Sequence, residues 1–275
     1  MFNAKFIALL LSLRAMLIPC CPPQQEYSKS YESRAYARMP KVLAESSGLA
    51  LAGDGSFWTI LDSGGPAALY RIGADGQLLD TLSLPLRNID WEDLARDSTG
   101  NIYIGDFGNN LNKRRNLKIF KLHPESNHID TINFHWSDQQ SFPPPKEEMN
   151  YDCEAFFWHA GRLHLFTKSR GDGWVRRYTV PDQPGDYAAE LLESVFVKDL
   201  VTAADISPDG GTVALLTYGK VYLFAVEAPD AYLQQPLGCI RVPRAGQSEA
   251  ILFLNNTSIL VGNETRRLIY LQRGD

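Results

Sequence analysis

The chain has 275 residues, is 44% hydrophobic and 11% aromatic, and carries a formal net charge of -5. Those proportions allow one substantial core, and a single domain of the larger all-β kind fits the length. No Lys/Arg run extends beyond Lys113, Arg114 and Arg115, so the electropositive face that a phosphate backbone requires is missing and nucleic-acid binding is excluded.

The N-terminus begins with Lys5, continues through an apolar stretch from Phe6 to Ile18 broken by Arg14, and reaches Cys20 and Cys21. This is the pattern of an export signal over residues 1–21, and Leu17-Ile18-Pro19-Cys20-Cys21 resembles a bacterial lipoprotein cleavage box. Lipidation at Cys20 or Cys21 and simple secretion both stay open, so the expected location is the cell envelope, periplasm or exterior. The only membrane contact expected is through that lipid. Residues 22–36 read as a polar tether and 37–275 as the folded domain. Only Cys153 and Cys239 remain in the domain, too few for a disulfide framework, and both read as small buried apolar side chains.

From about residue 40, short apolar runs alternate with Gly, Asp, Asn and Pro clusters and no 3.6-residue period is visible, which is an all-β signature. A unit recurs: an acidic or polar start, a strand, a Gly or Asn turn, and further strands. Its starts are Glu45-Ser46-Ser47-Gly48-Leu49, Asp90-Trp91-Glu92-Asp93-Leu94, Asp152-Cys153-Glu154-Ala155-Phe156, Thr202-Ala203-Ala204-Asp205-Ile206 and Gln247-Ser248-Glu249-Ala250-Ile251. Such self-similarity predicts a five-bladed β-propeller, with six blades as the alternative. The last unit has no room for a fourth strand, so Ala37 to Ala44 is expected to supply it and close the ring. The long segment Ser137 to Asn150 is expected as a functional loop near the channel mouth.

Side chains two apart share a strand face, so the inner strands should point two layers of polar groups into the channel. Glu45, Asp90, Asp152 and Gln247 form one layer; Ser47, Glu92, Glu154 and Glu249 form the other, with Asp205 in the fourth unit. Carboxylates crowded on one axis repel one another, and a hard cation with oxygen ligands relieves that repulsion. The flexible coordination of Ca²⁺ suits side chains from separate blades, and without clustered His or Cys zinc and copper are disfavoured. The expected metal ligands are therefore Ser47, Glu92, Glu154, Asp205 and Glu249. The ends of the second strands return to the same mouth and should bring Asp62, Asp106, Asn109, Asn110, Lys168, Arg170, Tyr218, Asn263 and Glu264 to it. Lys168 and Arg170 could hold an anion there. The five histidines do not converge, and no Ser/His/Asp or Cys/His arrangement is recognisable.

The motifs Asp62-Ser63-Gly64-Gly65, Asp90-Trp91-Glu92-Asp93-Leu94-Ala95 and Gly105-Asp106-Phe107-Gly108-Asn109-Asn110 resemble those of a group of uncharacterised exported bacterial β-propeller proteins. At Ser47, Glu92, Glu154 and Glu249 the pattern is also distantly similar to calcium-activated apyrase nucleotidases, five-bladed propellers with Ca²⁺ in the tunnel. Phytase-like and gluconolactonase-like propellers share the general idea but match less well by spacing. Two functions result. One is a Ca²⁺-holding monomeric binding module whose mouth takes a small anion, a glycan or a protein. The other is a Ca²⁺-dependent hydrolase of phosphoesters, phosphoanhydrides or lactones, with Glu92 or Glu154 as base and Lys168 stabilising charge.

Overall fold

The structure, a computed structural model, describes residues 30–274. The described chain starts with β1 (Tyr31–Arg38). Four hairpin-linked strands then form the first blade: β2 (Ser46–Leu51), β3 (Phe57–Leu61), β4 (Ala68–Ile72) and β5 (Leu78–Ser83). The same order repeats in β6 (Trp91–Arg96) to β9 (His128–Trp136), β10 (Cys153–His159) to β13 (Gly185–Phe196), and β14 (Val201–Ile206) to β17 (Gln235–Arg241). A last run, β18 (Ser248–Asn255), β19 (Ser258–Asn263) and β20 (Arg267–Arg273), is completed by β1. The inner strands touch in a closed cycle, β2 to β6 to β10 to β14 to β18 and back to β2. This is a β-propeller plan, with the sheet closed on itself by a strand from the opposite terminus.

The cores explain why these segments become stacked strands. Each buried cluster lies between two adjacent four-stranded runs: Trp91, Ile104 and Phe120 pack against Ile60 and Leu69, and Phe107, Phe134 and Trp136 pack against Phe156 and Tyr178. In β18 the alternation is visible residue by residue. Ile251 and Phe253 face the β14–β17 side, while Ala250 and Leu252 face the β2–β5 side. An inner strand buried on both faces reads as a near-continuous apolar run, so only its first residues can be polar without penalty.

Two features differ from expectation. The ring is closed by Tyr31–Arg38 and not by Ala37 to Ala44, where Lys41–Leu43 forms a short 3₁₀ turn instead. Tyr36 stacks on Tyr270 across the closing pair, and the strand pairs with β20 along most of its length. Residues 31–36 therefore belong to the fold and not to a tether; the export signal and residues 22–29 lie outside the described residues. Second, β13 is long enough to pair twice. Gly185 to Ala189 run parallel to Ile132 to Trp136 of β9, which joins two neighbouring runs into one eight-stranded sheet and covers an otherwise open edge. Cys153 and Cys239 are both buried and form no disulfide with each other, as their sequence context implies.

Candidate functional site

Where the inner strands begin, a cavity of about 330 Å³ opens on the propeller axis. Glu45, Asp90 and Gln247 line it in one layer, and Ser47, Glu92, Glu154 and Glu249 line it in the next. The convergence has a local cause. In β6, β10, β14 and β18 the pairing slips by one residue, and the extra residue is Glu92, Glu154, Thr202 or Glu249. A bulge of this kind takes a residue out of the ladder and re-aims its side chain, here toward the axis. In β2 the slip falls one residue later, at Gly48, directly after Ser47.

The bulge register corrects the fourth blade. Thr202, not Asp205, occupies the position of Glu92, Glu154 and Glu249, and Leu200 lines the cavity where other blades present Glu45, Asp90 and Gln247. Asp205 lies at the opposite end of the inner strand, beside a separate cavity lined by Leu51, Arg96 and Phe253. Its carboxylate accepts the backbone N–H groups of Ile206 at 2.8 Å and Phe253 at 2.6 Å, so it ties β14 to β18. Burial pushes that carboxyl up to about 7. Thr202 and Ser47 use their hydroxyls similarly: Thr202 donates to the Ser248 carbonyl at 2.6 Å, and Ser47 donates to the carbonyls of Glu92 and Glu249.

Three carboxylates come closest together. Asp62, Asp90 and Glu92 each offer an oxygen within 4.8 Å of the others. Room for them is made by Gly108, whose N–H closes onto the Asp90 carbonyl at 3.1 Å, just as Asp62, Lys168 and Glu264 close onto Glu45, Asp152 and Gln247. A Cβ at Gly108 would lie 2.0 Å from Glu92 Oε1 and 2.6 Å from Asp90 Cγ, so a side chain there is incompatible with both carboxylates. The crowding is visible in the acidities. Burial, then Asp62, drives Asp90 up to about 6, with Arg114 opposing. Burial, then Glu154, Asp62 and Asp90, hold Glu92 well above the ordinary range.

Across the cavity stands a cationic pair. Lys168, 3% exposed, bonds Glu154 and donates to the Tyr218 hydroxyl at 3.0 Å. Burial alone would favour the neutral amine, but Glu154, Tyr218 and Glu249 outweigh it and keep Lys168 protonated. Arg170 lies 2.9 Å from Asp152 and 3.5 Å from Glu154, and it also bonds Asn110. The loop expected at the mouth does not line the cavity. Its residue Met149 instead accepts the N–H groups of Arg170 and Gly171, and Asn150 Oδ1 accepts those of Gly171 and Asp172, so the loop fixes the turn that carries Arg170.

Asp62, Asn110, Lys168, Arg170, Tyr218 and Glu264 thus line the cavity as expected. Asp106, Asn109, Asn263 and Asp152 do not. Asp106 is fully buried against Arg114 at 2.8 Å, and Asp152 bridges Arg170 and the Asn109 N–H. Asn109 and Asn263 brace their own turns, accepting from Arg114 and Arg267 N–H groups. Ser46, Ser63 and Leu200 line the cavity and were not anticipated. Arg114 and Thr202 were likewise missed, and only the bulge register could have found Thr202.

Comparison with known proteins places the fold. No family model matches the chain, and no curated protein matches it. Among solved structures, it is similar to a gluconolactonase from Xanthomonas campestris at 16% identity, over 83% of this chain and 72% of that one, with a TM-score of 0.50. A candidate gluconolactonase matches at 12% identity over 92% and 96% of the two chains, TM-score 0.52. The PQQ-bound aldose sugar dehydrogenase from Streptomyces coelicolor matches at 10% identity over 88% and 98%, also at 0.52. The neighbours are β-propeller-like proteins. At these identities the likeness speaks for architecture alone.

Proposed function

We propose that the channel mouth binds a divalent cation on Asp62, Asp90 and Glu92 and, beside it, a small anionic ligand drawn by Lys168 and Arg170. The observation that carries this reading is the triplet of crowded carboxylates, with the pKa values of Asp90 and Glu92 raised, facing a protonated lysine across one cavity. The donor set is all oxygen, with no His or Cys in it, which fits a hard cation; Ca²⁺ tolerates irregular ligand geometry better than Mg²⁺. Of the expected ligands Ser47, Glu92, Glu154, Asp205 and Glu249 this reading keeps Glu92 and adds Asp62 and Asp90, since Glu154 is paired with Lys168, while Ser47 and Asp205 bond backbone groups.

A hydrolytic reading has one specific observation in its favour. Asp90, at about 6, is mostly deprotonated at neutral pH yet basic enough to take up a proton, as a general base should be, and it shares the cavity with Lys168 and Arg170. A bound cation would polarise a scissile phosphoryl or lactone oxygen. In this version Asp62 and Glu92 would hold the cation, Asp90 would be left free as base in place of Glu92 or Glu154, and Lys168 and Arg170 would hold the developing charge. Residues Lys5 to Cys21 support an exported, lipid-anchored or secreted protein.

The experiment is a panel of nucleoside diphosphates, phytate and aldonolactones, tested for binding and turnover with Ca²⁺ and with EDTA. Ca²⁺-dependent binding that is lost in Asp62→Asn and Asp90→Asn is expected. Binding indifferent to EDTA and to both substitutions would contradict the reading, and binding without turnover would sink the hydrolytic version.

A further inference from the structure

A second cavity, of about 600 Å³, runs along the outer strand β1 toward the linker between the last two blades. Four arginines line it: Arg34 and Arg38 from β1, Arg267 from β20, and Arg244 from the linker. No acidic residue does. Among the described residues none of these four guanidinium groups has a carboxylate within ion-pair distance, although Arg71, Arg114, Arg162, Arg170, Arg176 and Arg177 all do. In a chain of net charge -5, such a collection of uncompensated positive charge runs against composition.

The arrangement also works against the stability of its own sheet. Arg38 and Arg267 are direct register partners across the β1–β20 pair, and like charges placed opposite each other destabilise an antiparallel pair. Arg34 is held over the Tyr270 ring at 4.5 Å, which keeps its planar fork in a set orientation. Arg244 sits at φ 59°, a left-handed backbone uncommon for a residue other than glycine. Arg38 and Arg267 share one face of the β1–β20 pair with the apolar partners Ala35 and Ile269, while Arg34, opposite Tyr270, rises from the other face at the strand's edge.

We propose that this groove is an oxyanion site that seats the domain on the phosphate headgroups of an anionic membrane. Guanidinium forks match phosphate oxygens bidentately, and several anions in a row would relieve the Arg38–Arg267 repulsion. A membrane is favoured over a free anion because the groove is built on the first strand of the fold. The sequence before that strand carries the apolar run Phe6 to Ile18, and the eleven residues 19–29 between can span at most ~40 Å. This inference uses none of the channel residues and stands or falls apart from the cation reading.

The test is flotation of the full chain with vesicles of phosphatidylglycerol and phosphatidylcholine against vesicles of phosphatidylcholine alone, at low and high salt. The readout is the increment due to phosphatidylglycerol, compared between the parent and variants that share the same N-terminal segment, so that its contribution cancels. That increment should vanish at high salt. It should fall roughly a thousandfold in Arg34→Gln/Arg38→Gln/Arg244→Gln/Arg267→Gln and largely survive the four Arg→Lys changes, since each charge near an anionic surface contributes about 1 kcal/mol. Arg267→Gln alone should melt no lower than the parent, because it removes a like-charge pair. Should the fourfold variant not fold, Arg38→Gln/Arg244→Gln gives a smaller loss of the same increment, roughly thirtyfold, from two separate segments. An increment unchanged by these substitutions overturns the proposal, as does binding of inorganic pyrophosphate with no vesicle increment.

Discussion

Gly108 is where the demands on the site are tightest. It stands at a ring position that other blades fill with Asp62, Lys168 and Glu264, and the carboxylates of Asp90 and Glu92 occupy the space its missing side chain leaves. Gly108→Ala should therefore displace both acids and reduce Ca²⁺ affinity at least tenfold in a calorimetric titration while the far-UV spectrum stays that of a β-protein; unchanged affinity would show that these carboxylates are not ligands. Glu92, Glu154 and Glu249 were legible in the sequence because an acid before an apolar run is conspicuous. Asp62 was legible only as a turn residue of Asp-Ser-Gly-Gly, and its meeting with Asp90 is a long-range fact. Asp106, Asn109 and Asn263 carried the same turn chemistry, yet their side chains serve their own loops. Local composition does not separate these cases, since both uses need a short polar side chain at a strand end.

At the scale of the strand, the bulge decides what faces the axis. Strict alternation places Ser47, Glu92, Glu154 and Glu249 correctly, and it fails in β14, where the run Thr202-Ala203-Ala204-Asp205 offers two polar residues three apart. Burial settles the choice. Asp205 ties β14 to β18 through two backbone N–H groups far from the cation site, so Asp205→Ala should destabilise the fold by about 1–3 kcal/mol and leave Ca²⁺ binding untouched. Denaturant melts paired with Ca²⁺ titrations check this, and a loss of Ca²⁺ affinity at full stability would restore Asp205 to the metal site. The closing strand was similarly half legible. The need for a strand from the N-terminus followed from counting, but its position did not. Tyr31 to Arg38 alternates weakly and looks like a polar tether, whereas pairing with β20 and stacking of Tyr36 on Tyr270 are tertiary contacts.

For the whole molecule, the account rests on mutual repulsion among acids held on one axis. Asp90 rises from its ordinary 3.8 to about 6, first through burial and then through Asp62, and Glu92 and Glu249 rise as well, again with burial first. A carboxyl with a raised folded-state value takes up protons more readily folded than unfolded. Its destabilising effect is absent below about pH 4 and complete above about pH 6; for Asp90 it is on the order of 2 kcal/mol after allowing for partial exposure. A cation on the triplet removes this penalty at the upper end of the range, where the acids are charged. The most direct measurement is the melting midpoint of the protein at pH 7.5 and pH 5, each in EDTA and in millimolar Ca²⁺. The account predicts a clear rise with Ca²⁺ at pH 7.5 and a much smaller one at pH 5, with the EDTA sample more stable at pH 5 than at pH 7.5. A midpoint at pH 7.5 that is the same in EDTA and in Ca²⁺ would contradict it.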